Sequence, residues 1–572
     1  MNTLWDNVRK SIIGEHTPIS TPFGTRIITY ADYNASGRGL DFIENYLKSL
    51  LKLYSNTHTE DDATGRITTE RLHQAETTIK KLVGAGKEYR IIEVGTGTTG
   101  AIHRLQQILG IYIPPAAKQV LTHQLNEHLG ETKARELTEY LLAHRPVVFV
   151  GPYEHHSNEV SWRECFVDVV EIELTDQGYL DLDDLRSKVS DDKYADRKKI
   201  GSFSAASNVT GLKTPVYEVA RILHEHDALA FFDFAAAASY VEIDMCKDDT
   251  AYFDGIFFSP HKFLGGPGSC GILIIHEDVY PRNLPPVVGA GGTVDFVNAY
   301  AHIYNPNIEV REKPGTPGIM QILKAALALE LKELMNPVEI EKREQAILTT
   351  VLDKLADTSA IELVVPMDPE HNLPIVSFNI SAGESYLHPR FVVRLLNDLF
   401  GIQARAGCSC AGPYGHKLLH IDRQTSERYR KLIREGNMGI KPGWTRISFH
   451  FIMTDEEIDF LCKAVRFVAE YGRYFLPLYQ FDIHTGNWEH REFRSAEEPF
   501  GIEQALAFAG DRQARPAGAE PSETNATGTE DLSALYNAYL DKAYEMGAKL
   551  KQQYTDVPYK STERDLISFL YY

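Results

Sequence analysis

Short β-prone runs recur along the first half of the chain. Each is followed by Gly, Ser or Asn and then by a helical stretch. Arg90–Val94, Val147–Val150, Lys199–Ser204, Leu229–Asp233 and Gly255–Ser259 are the clearest. This alternation predicts an α/β domain with a mainly parallel sheet over residues 26–335. Residues 320–358 read as helix interrupted at Asn336-Pro337. In its first half Leu323, Leu327, Leu331 and Leu334 keep one apolar face. A smaller α+β domain follows, residues 336–478, with strands near Ile375–Ile380 and Thr445–His450 and a helix over Glu456–Tyr471. Residues 1–25 read as an N-terminal arm. Residues 479–572 form a C-terminal extension. Its stretch 510–529 is poor in large apolar residues and reads as a linker. Beyond it, Leu532, Leu535, Tyr536, Tyr539, Leu540, Ala543, Met546 and Leu550 make the stripe of a helix that docks on the body.

Composition narrows the class. Of 572 residues, 43% are hydrophobic and 24% charged, which excludes a mainly disordered chain, a collagen and a coiled coil. The net charge of −20 argues against a broad grip on nucleic acid or anionic lipid. No apolar run is long enough to span a bilayer; the richest, Ala228–Val241, is broken by Asp233. The N-terminus lacks a basic-then-apolar signal pattern, and six cysteines are too few for a disulfide scaffold. The expected setting is reducing and cytoplasmic.

Three features carry chemistry. Gly95-Thr96-Gly97-Thr98-Thr99-Gly100 lies between a strand and a helix. Read as a dinucleotide fingerprint it lacks the second strand and the acid that should follow. As a turn at a helix N-terminus it still suits a phosphate, and it can equally be a plain strand-to-helix turn. Ser259-Pro260-His261-Lys262 sits between an apolar strand and Gly265-Gly266-Pro267-Gly268. A poorly hydrated lysine there has a lowered pKa and a free amine able to form a Schiff base; an exposed loop lysine is the alternative. Asp233 closes a strand, where a carboxylate caps a helix or holds a protonated ring nitrogen.

The order of these elements, with Glu154-His155-His156 and Ser207-Asn208-Val209-Thr210-Gly211 between them, resembles the class V aminotransferase superfamily of fold type I. Within it the chain looks most like the cysteine desulfurase and selenocysteine lyase branch. The resemblance covers about residues 26–475 and implies pyridoxal 5′-phosphate (PLP) as cofactor. Carried over by position, Lys262 would bind PLP covalently. Thr98, Thr99, Ser259 and His261 would hold its phosphate, His155 would stack on the ring, Asp233 would pair with the ring nitrogen, and Asn208 would touch the phenolic oxygen. Pro314-Gly315-Thr316-Pro317 resembles a family loop whose threonine reaches the partner subunit's phosphate, so a homodimer is implied. His156 reads as structural.

Arg405-Ala406-Gly407-Cys408-Ser409-Cys410 resembles the segment that presents the sulfur-attacking cysteine, with Cys410 at that position. Arg405 would favour its thiolate. Cys-x-Cys also suits zinc, but no second ligand pair sits at the right spacing, so no metal is expected. Arg446, in Trp444-Thr445-Arg446-Ile447-Ser448, resembles the arginine that binds the substrate α-carboxylate. Two departures stand out. Ala236 replaces the usual glutamine or histidine that contacts the ring oxygen. Residues 416–443 and 114–145 are longer than the family pattern.

The expected activity is therefore PLP-dependent cleavage of a carbon–sulfur bond. Cysteine would become alanine, with a persulfide on Cys410 and a sulfur-acceptor protein as possible partner. Two alternatives stay open: a PLP-dependent β-lyase or aminotransferase that does not use Cys410, and a PLP-fold scaffold for a partner. An intact Lys262 and Asp233 speak against the scaffold, which needs neither.

Overall fold

A computed structural model describes residues 3–57, 59–494, 532–555 and 566–571. The large domain is built on seven strands: β1 (Tyr89–Val94), β2 (Val147–Val150), β3 (Asp168–Glu171), β4 (Lys199–Ser204), β5 (Ala228–Asp233), β6 (Gly255–Phe258) and β7 (Gly271–His276). Their order across the sheet is β1-β7-β6-β5-β4-β2-β3. All neighbours pair in parallel except β7, which runs antiparallel to both β1 and β6.

The strands are apolar throughout because helices cover both faces of the sheet. Alternate residues serve alternate sides: Ile91, Phe149, Phe232 and Ile256 join one core cluster, while Ile92, Val148, Phe231 and Phe257 join the other. With β7 as the sole reversal, the carboxyl ends of β1, β2, β4, β5 and β6 share one edge. That edge is where ligands bind in open α/β sheets.

α1 (Gly97–Ile108) leaves β1, and α2 (Pro115–Ala143), broken at Gly130, is the longer segment noted in the sequence. The helix read over 320–358 is two helices, Ile319–Leu334 and Pro337–Ala356. Asn336 ends the first and caps the second through its side chain.

The smaller sheet contains β8 (Ile375–Ala382), β9 (Ser385–Leu387), β10 (Arg405–Gly407), β11 (Trp444–Ser448) and β12 (Phe569–Leu570), in the order β10-β11-β8-β9-β12. Against it pack α3 (Pro389–Phe400) and α6 (Asp455–Tyr471), the latter opened by a Thr454–Glu457 capping box. Between β10 and β11 lie α4 (Gly412–Leu418) and α5 (Arg423–Arg434).

Both chain termini join this smaller layer. The N-terminal arm lies against it. Trp5, Val8 and Phe23 are buried, and Thr29–Tyr30 pairs in parallel with Ile402–Gln403. The approach is so close that a Cβ on Gly401, at φ 74°, would lie 2.1 Å from the Ile27 carbonyl oxygen. The expected linker 510–529 lies outside the described residues. α7 (Leu532–Gln553) docks on α6: Tyr536 stacks on Phe460 at 3.8 Å, and its hydroxyl meets Thr29 Oγ1 at 3.1 Å. The terminal strand β12 extends the sheet beside β9.

This docking is testable. Tyr536→Ala removes a buried ring and its hydroxyl contact, so the small-domain thermal transition should weaken by roughly 3–5 kcal/mol. Tyr536→Phe, which loses only the hydroxyl, should cost about 1 kcal/mol. Equal melting of Tyr536→Ala and wild type would show that α7 does not support this domain.

Candidate active site

The carboxyl edge of the large sheet gathers the predicted residues. The first N–H groups of an α-helix such as α1 lack partners from a preceding helical turn. Thr98 N donates to Ser259 Oγ at 2.8 Å, and the two hydroxyls are 2.9 Å apart. A Cβ on Gly97, at φ 58°, would lie 2.7 Å from Ser259 Oγ and 3.9 Å from His261 Cδ2. The turn after β1 and the loop after β6 thus form one tight cradle of N–H and hydroxyl groups, the donor set a phosphate requires. Thr99 is exposed, and its hydroxyl is 2.6 Å from that of Ser157.

Asp233 and Lys262 face each other electrostatically at this edge. The register pairs Asp233 with Phe257, so the end of β5 lies beside the loop that leaves β6. Burial raises Asp233 to about 6, opposed by the Ala235 N–H and by the charge of Lys262. Burial lowers Lys262 to about 8, with Asp233 the leading opposing influence and Arg446, Asp32 and Arg405 also acting. At neutral pH Asp233 is ionised, and about a tenth of Lys262 is neutral amine. Burial and the Lys262 charge lower His155 to about 4, so its ring is uncharged. A buried amine, an ionised carboxylate, a neutral imidazole and the cradle together fit a phosphorylated pyridine aldehyde.

Glu154 holds the strand ends together, accepting hydrogen bonds from Gly151 N, Ser204 N, Ser204 Oγ and Asn158 Nδ2. His156 has a structural place, as expected. Its backbone N donates to the Cys410 carbonyl at 2.8 Å, and its Nε2 accepts from Gly412 N at 2.9 Å. It therefore staples the cysteine loop beside His155. Cys410 is exposed, whereas Cys408 is partly buried against Tyr153, Val209, Tyr414 and Trp444. Ser409 and Cys410 both take positive φ, 52° and 57°, which non-glycine residues rarely adopt.

Arg446 lies in β11 and is 3% exposed. One terminal nitrogen donates to the Asn208 carbonyl and the other to Asp32 Oδ1, both at 2.9 Å; its Nε is buried without a partner. Arg405 Nε donates to Asp32 Oδ2 at 2.9 Å. No hydrogen bond or ion pair joins Arg405 to Cys410 among the described residues, so the expected support of a thiolate has no contact behind it. Asn208 Nδ2 donates to the Ser409 carbonyl, and its Oδ1 is buried and unpartnered. Thr316 lies apart, on an exposed loop tied back by Gly315 N to the Gly291 carbonyl.

Sequence reasoning missed Asp32 and its neighbours. Asn34 Nδ2 donates to the Asn208 carbonyl, and Gly37 N to that of His261. The available signal was a polar cluster, Asp32-Tyr33-Asn34-Ala35-Ser36-Gly37, directly after a short β-prone run. Ala236, at the position of the missing ring contact, is buried.

Known proteins share sequence and fold with this chain. Chains similar to this one include a probable cysteine desulfurase of Halalkalibacterium halodurans, 26% identical over 73% of this chain and 87% of the relative. A cysteine desulfurase of Escherichia coli O127:H6 is 27% identical over 46% of this chain and 62% of the relative. Among solved structures, the apo cysteine desulfurase of Thermococcus onnurineus has a TM-score of 0.62 at 21% identity, covering 81% of this chain and 98% of that one. The Escherichia coli cysteine desulfurase CsdA gives 0.58 at 21% identity, covering 77% and 94%. These likenesses fix the fold as that of the fold type I enzymes. The aminotransferase class-V family model matches residues 131–461, more than half of the chain, and the chain accordingly belongs to the class V aminotransferase family of PLP-dependent enzymes.

Proposed function

We propose that the protein is a cysteine desulfurase: it cleaves the carbon–sulfur bond of cysteine to give alanine and a persulfide on Cys410. The observation that carries this reading is the placement of Cys410. It is exposed on a strained loop that His156 fastens next to His155, at the same sheet edge as Lys262 and Asp233. The names of the similar proteins support the same reaction.

Bound PLP supplies an electron sink for the electrons of the broken Cα–H bond. Lys262 is the residue that binds PLP, and its neutral Nζ takes the Cα proton. Asp233 would hold the proton of the ring nitrogen, and the uncharged His155 would lie against the ring without repelling it. Thr98, Thr99, Ser259 and His261 would hold the phosphate, and Asn208, whose buried Oδ1 is unpartnered, would serve the phenolic group. Arg446 receives the substrate carboxylate through its unpartnered Nε, while Asp32 fixes the guanidinium and, with it, Arg405. The Cys410 thiolate attacks the substrate sulfur. A sulfur–sulfur bond forms as the carbon–sulfur bond breaks, and the three-carbon remainder leaves as alanine.

In the same reading the enzyme is a cytoplasmic homodimer, and Thr316 reaches the partner's phosphate. The support is local. Next to the exposed 314–317 loop, the hairpin Val294–Val297 and His302–Tyr304 exposes Phe296, Val297, Tyr300 and Ile303, an apolar group of the kind that marks an interface. No described helix is long and apolar enough to cross a membrane.

Burial of Lys262 sets a pH test. Condensation of the apoprotein with PLP should accelerate with rising pH through about 8 and then level, because only the neutral amine reacts. A rate still climbing towards ~10.4, the ordinary lysine value, would mean the amine is not buried as described. Lys262→Ala should fold and yet lose the borohydride-reducible absorbance and nearly all turnover.

The two cysteines separate the reactions. Cys410→Ala should keep the PLP spectrum but abolish both alanine formation from cysteine and trapping of a persulfide on that peptide. Cys408→Ala, whose side chain packs in an apolar cluster, should cost less than about threefold in kcat. Pyruvate and ammonia in place of alanine, with Cys410→Ala fully active, would replace this reading with a β-lyase.

A further inference from the structure

The segment after Cys410 carries a charge opposite to that of the whole chain. Residues 412–443 hold seven Lys and Arg against three Asp and Glu, a formal +4 in a chain of −20. Most of that charge lies on α5, and the helix is two-sided. Tyr429, Leu432 and Ile433 pack towards Ile440 and the terminal residues Ile567 and Phe569. Arg423, Glu427, Arg430, Lys431 and Arg434 recur at helical spacing on the other side, and all five are exposed. Four of the five are cations. Arg430 lies 3.2 Å from Glu427, while Arg423, Lys431 and Arg434 make no ion pair among the described residues.

This face is fastened to the cysteine loop. His416 Nδ1 donates to the Gly412 carbonyl at 2.8 Å, and its Nε2 accepts from Ser426 Oγ of α5 at 3.0 Å. Gly412 is the residue that His156 pins, two positions beyond Cys410. Hence α5 cannot shift freely with respect to the loop that presents the exposed thiol.

We propose that the outer face of α5 docks an acidic protein that carries an acceptor thiol and takes sulfur from Cys410. The inference rests on the desulfurase reading, because a persulfide must be discharged before the enzyme turns over again. The acceptor thiolate attacks the outer sulfur of the Cys410 persulfide. A new sulfur–sulfur bond forms on the partner, the old one breaks, and Cys410 leaves as thiolate. No outside oxidant or reductant is needed. A basic face on a helix fastened to the cysteine loop steers an acidic partner towards that loop and raises its encounter rate. A nucleic acid fits less well, since a long polyanion running past α5 would meet the acidic remainder of the molecule.

The test uses the full-length holoenzyme and two short peptides, each with one cysteine, one set among glutamates and the other among lysines. Wild type should transfer sulfur to the glutamate peptide with a kcat/KM at least about tenfold higher than to the lysine peptide. Salt at about 0.5 M should erase most of the difference. Combined Arg423→Glu, Arg430→Glu, Lys431→Glu and Arg434→Glu should abolish or invert the preference and leave alanine formation driven by dithiothreitol unchanged. The corresponding four-fold glutamine variant should lose the preference too, and it serves if the glutamate variant misfolds. A fluorescein-labelled serine counterpart of the glutamate peptide reports docking by anisotropy without any turnover. No preference in wild type, or a preference retained in the variants, overturns the proposal. It is equally overturned if a labelled single-stranded oligonucleotide binds through these residues and the peptide does not, or if the variants change only the enzyme's own sedimentation. Should no alanine form even with dithiothreitol, the desulfurase reading fails, and anisotropy still decides whether the face takes an acidic peptide.

Discussion

A buried aspartate and a half-buried lysine whose amine is poorly hydrated stand together at the carboxyl edge of the large sheet, and most of the site is arranged around that fact. Each charge is costly to bury, and each offsets part of the other's cost. Burial drives both towards neutrality, and their opposite charges, with the Ala235 N–H, restrain the shift at about 6 for Asp233 and about 8 for Lys262. The windows do not cross, so near neutral pH the carboxylate remains charged while a useful share of the amine is free. Adjacent parallel strands enforce the placement. A one-residue slip of β6 against β5 would turn the loop's side chains to the other face of the sheet. The sheet core, apolar on both sides, thereby sets the chemistry at its edge.

A second knot of charge ties the two domains together. Asp32 comes from the first residues of the chain, Arg405 from β10 and Arg446 from β11, and one carboxylate accepts from both guanidinium groups. Arg446 is deeply buried, so loss of Asp32 would leave a cation without its counter-charge. The strand Thr29–Tyr30 places Asp32, and Tyr536 of α7 rests on Thr29. The C-terminal extension therefore reaches the neighbourhood of the site through the four residues Thr29 to Asp32. Among the described residues it makes no hydrogen bond to the groups proposed to hold PLP, but it braces the strand that leads to Arg446's partner.

Much of this was legible in the sequence, and the reasons are local. Val147–Val150, Lys199–Ser204 and the ends of β1, β5 and β6 could be read because strands buried on two faces are apolar without interruption. Lys262, Asp233 and the 95–100 turn could be read because each stands where such a run stops. Asp32 could not. Its role depends on two arginines more than 370 positions away, and a short polar cluster after a β-prone run looks like any turn. The engagement of Arg405 by Asp32 was hidden for the same reason. β12 escaped too, being only two residues long and added to the sheet from the far end of the chain. Residues 416–443 stood out in the sequence only as longer than the family pattern. The two-sidedness of α5 acquires meaning only once its apolar side is seen to lie against residues 567–569.

The cysteine loop gathers these threads. A sulfur-transfer residue has two conflicting needs: it must reach a buried reaction centre, and it must remain open to an acceptor outside. A cysteine in a strand or helix would meet only one of them. Here Ser409 and Cys410 occupy consecutive left-handed conformations, a strained arrangement that persists only where the surroundings hold it. The surroundings do so from both sides. Asn208 grips the Ser409 carbonyl and His156 grips that of Cys410, both from the large domain, while α4 starts directly behind. The backbone is thus fixed at its carbonyls and the Cys410 side chain is left exposed. In the proposed reading, a fixed main chain and a free thiol would let Cys410 serve both the site and the solvent without refolding the loop. Outside the site the loop is held once more, where His416 joins the Gly412 carbonyl to the Ser426 hydroxyl on the inner side of α5.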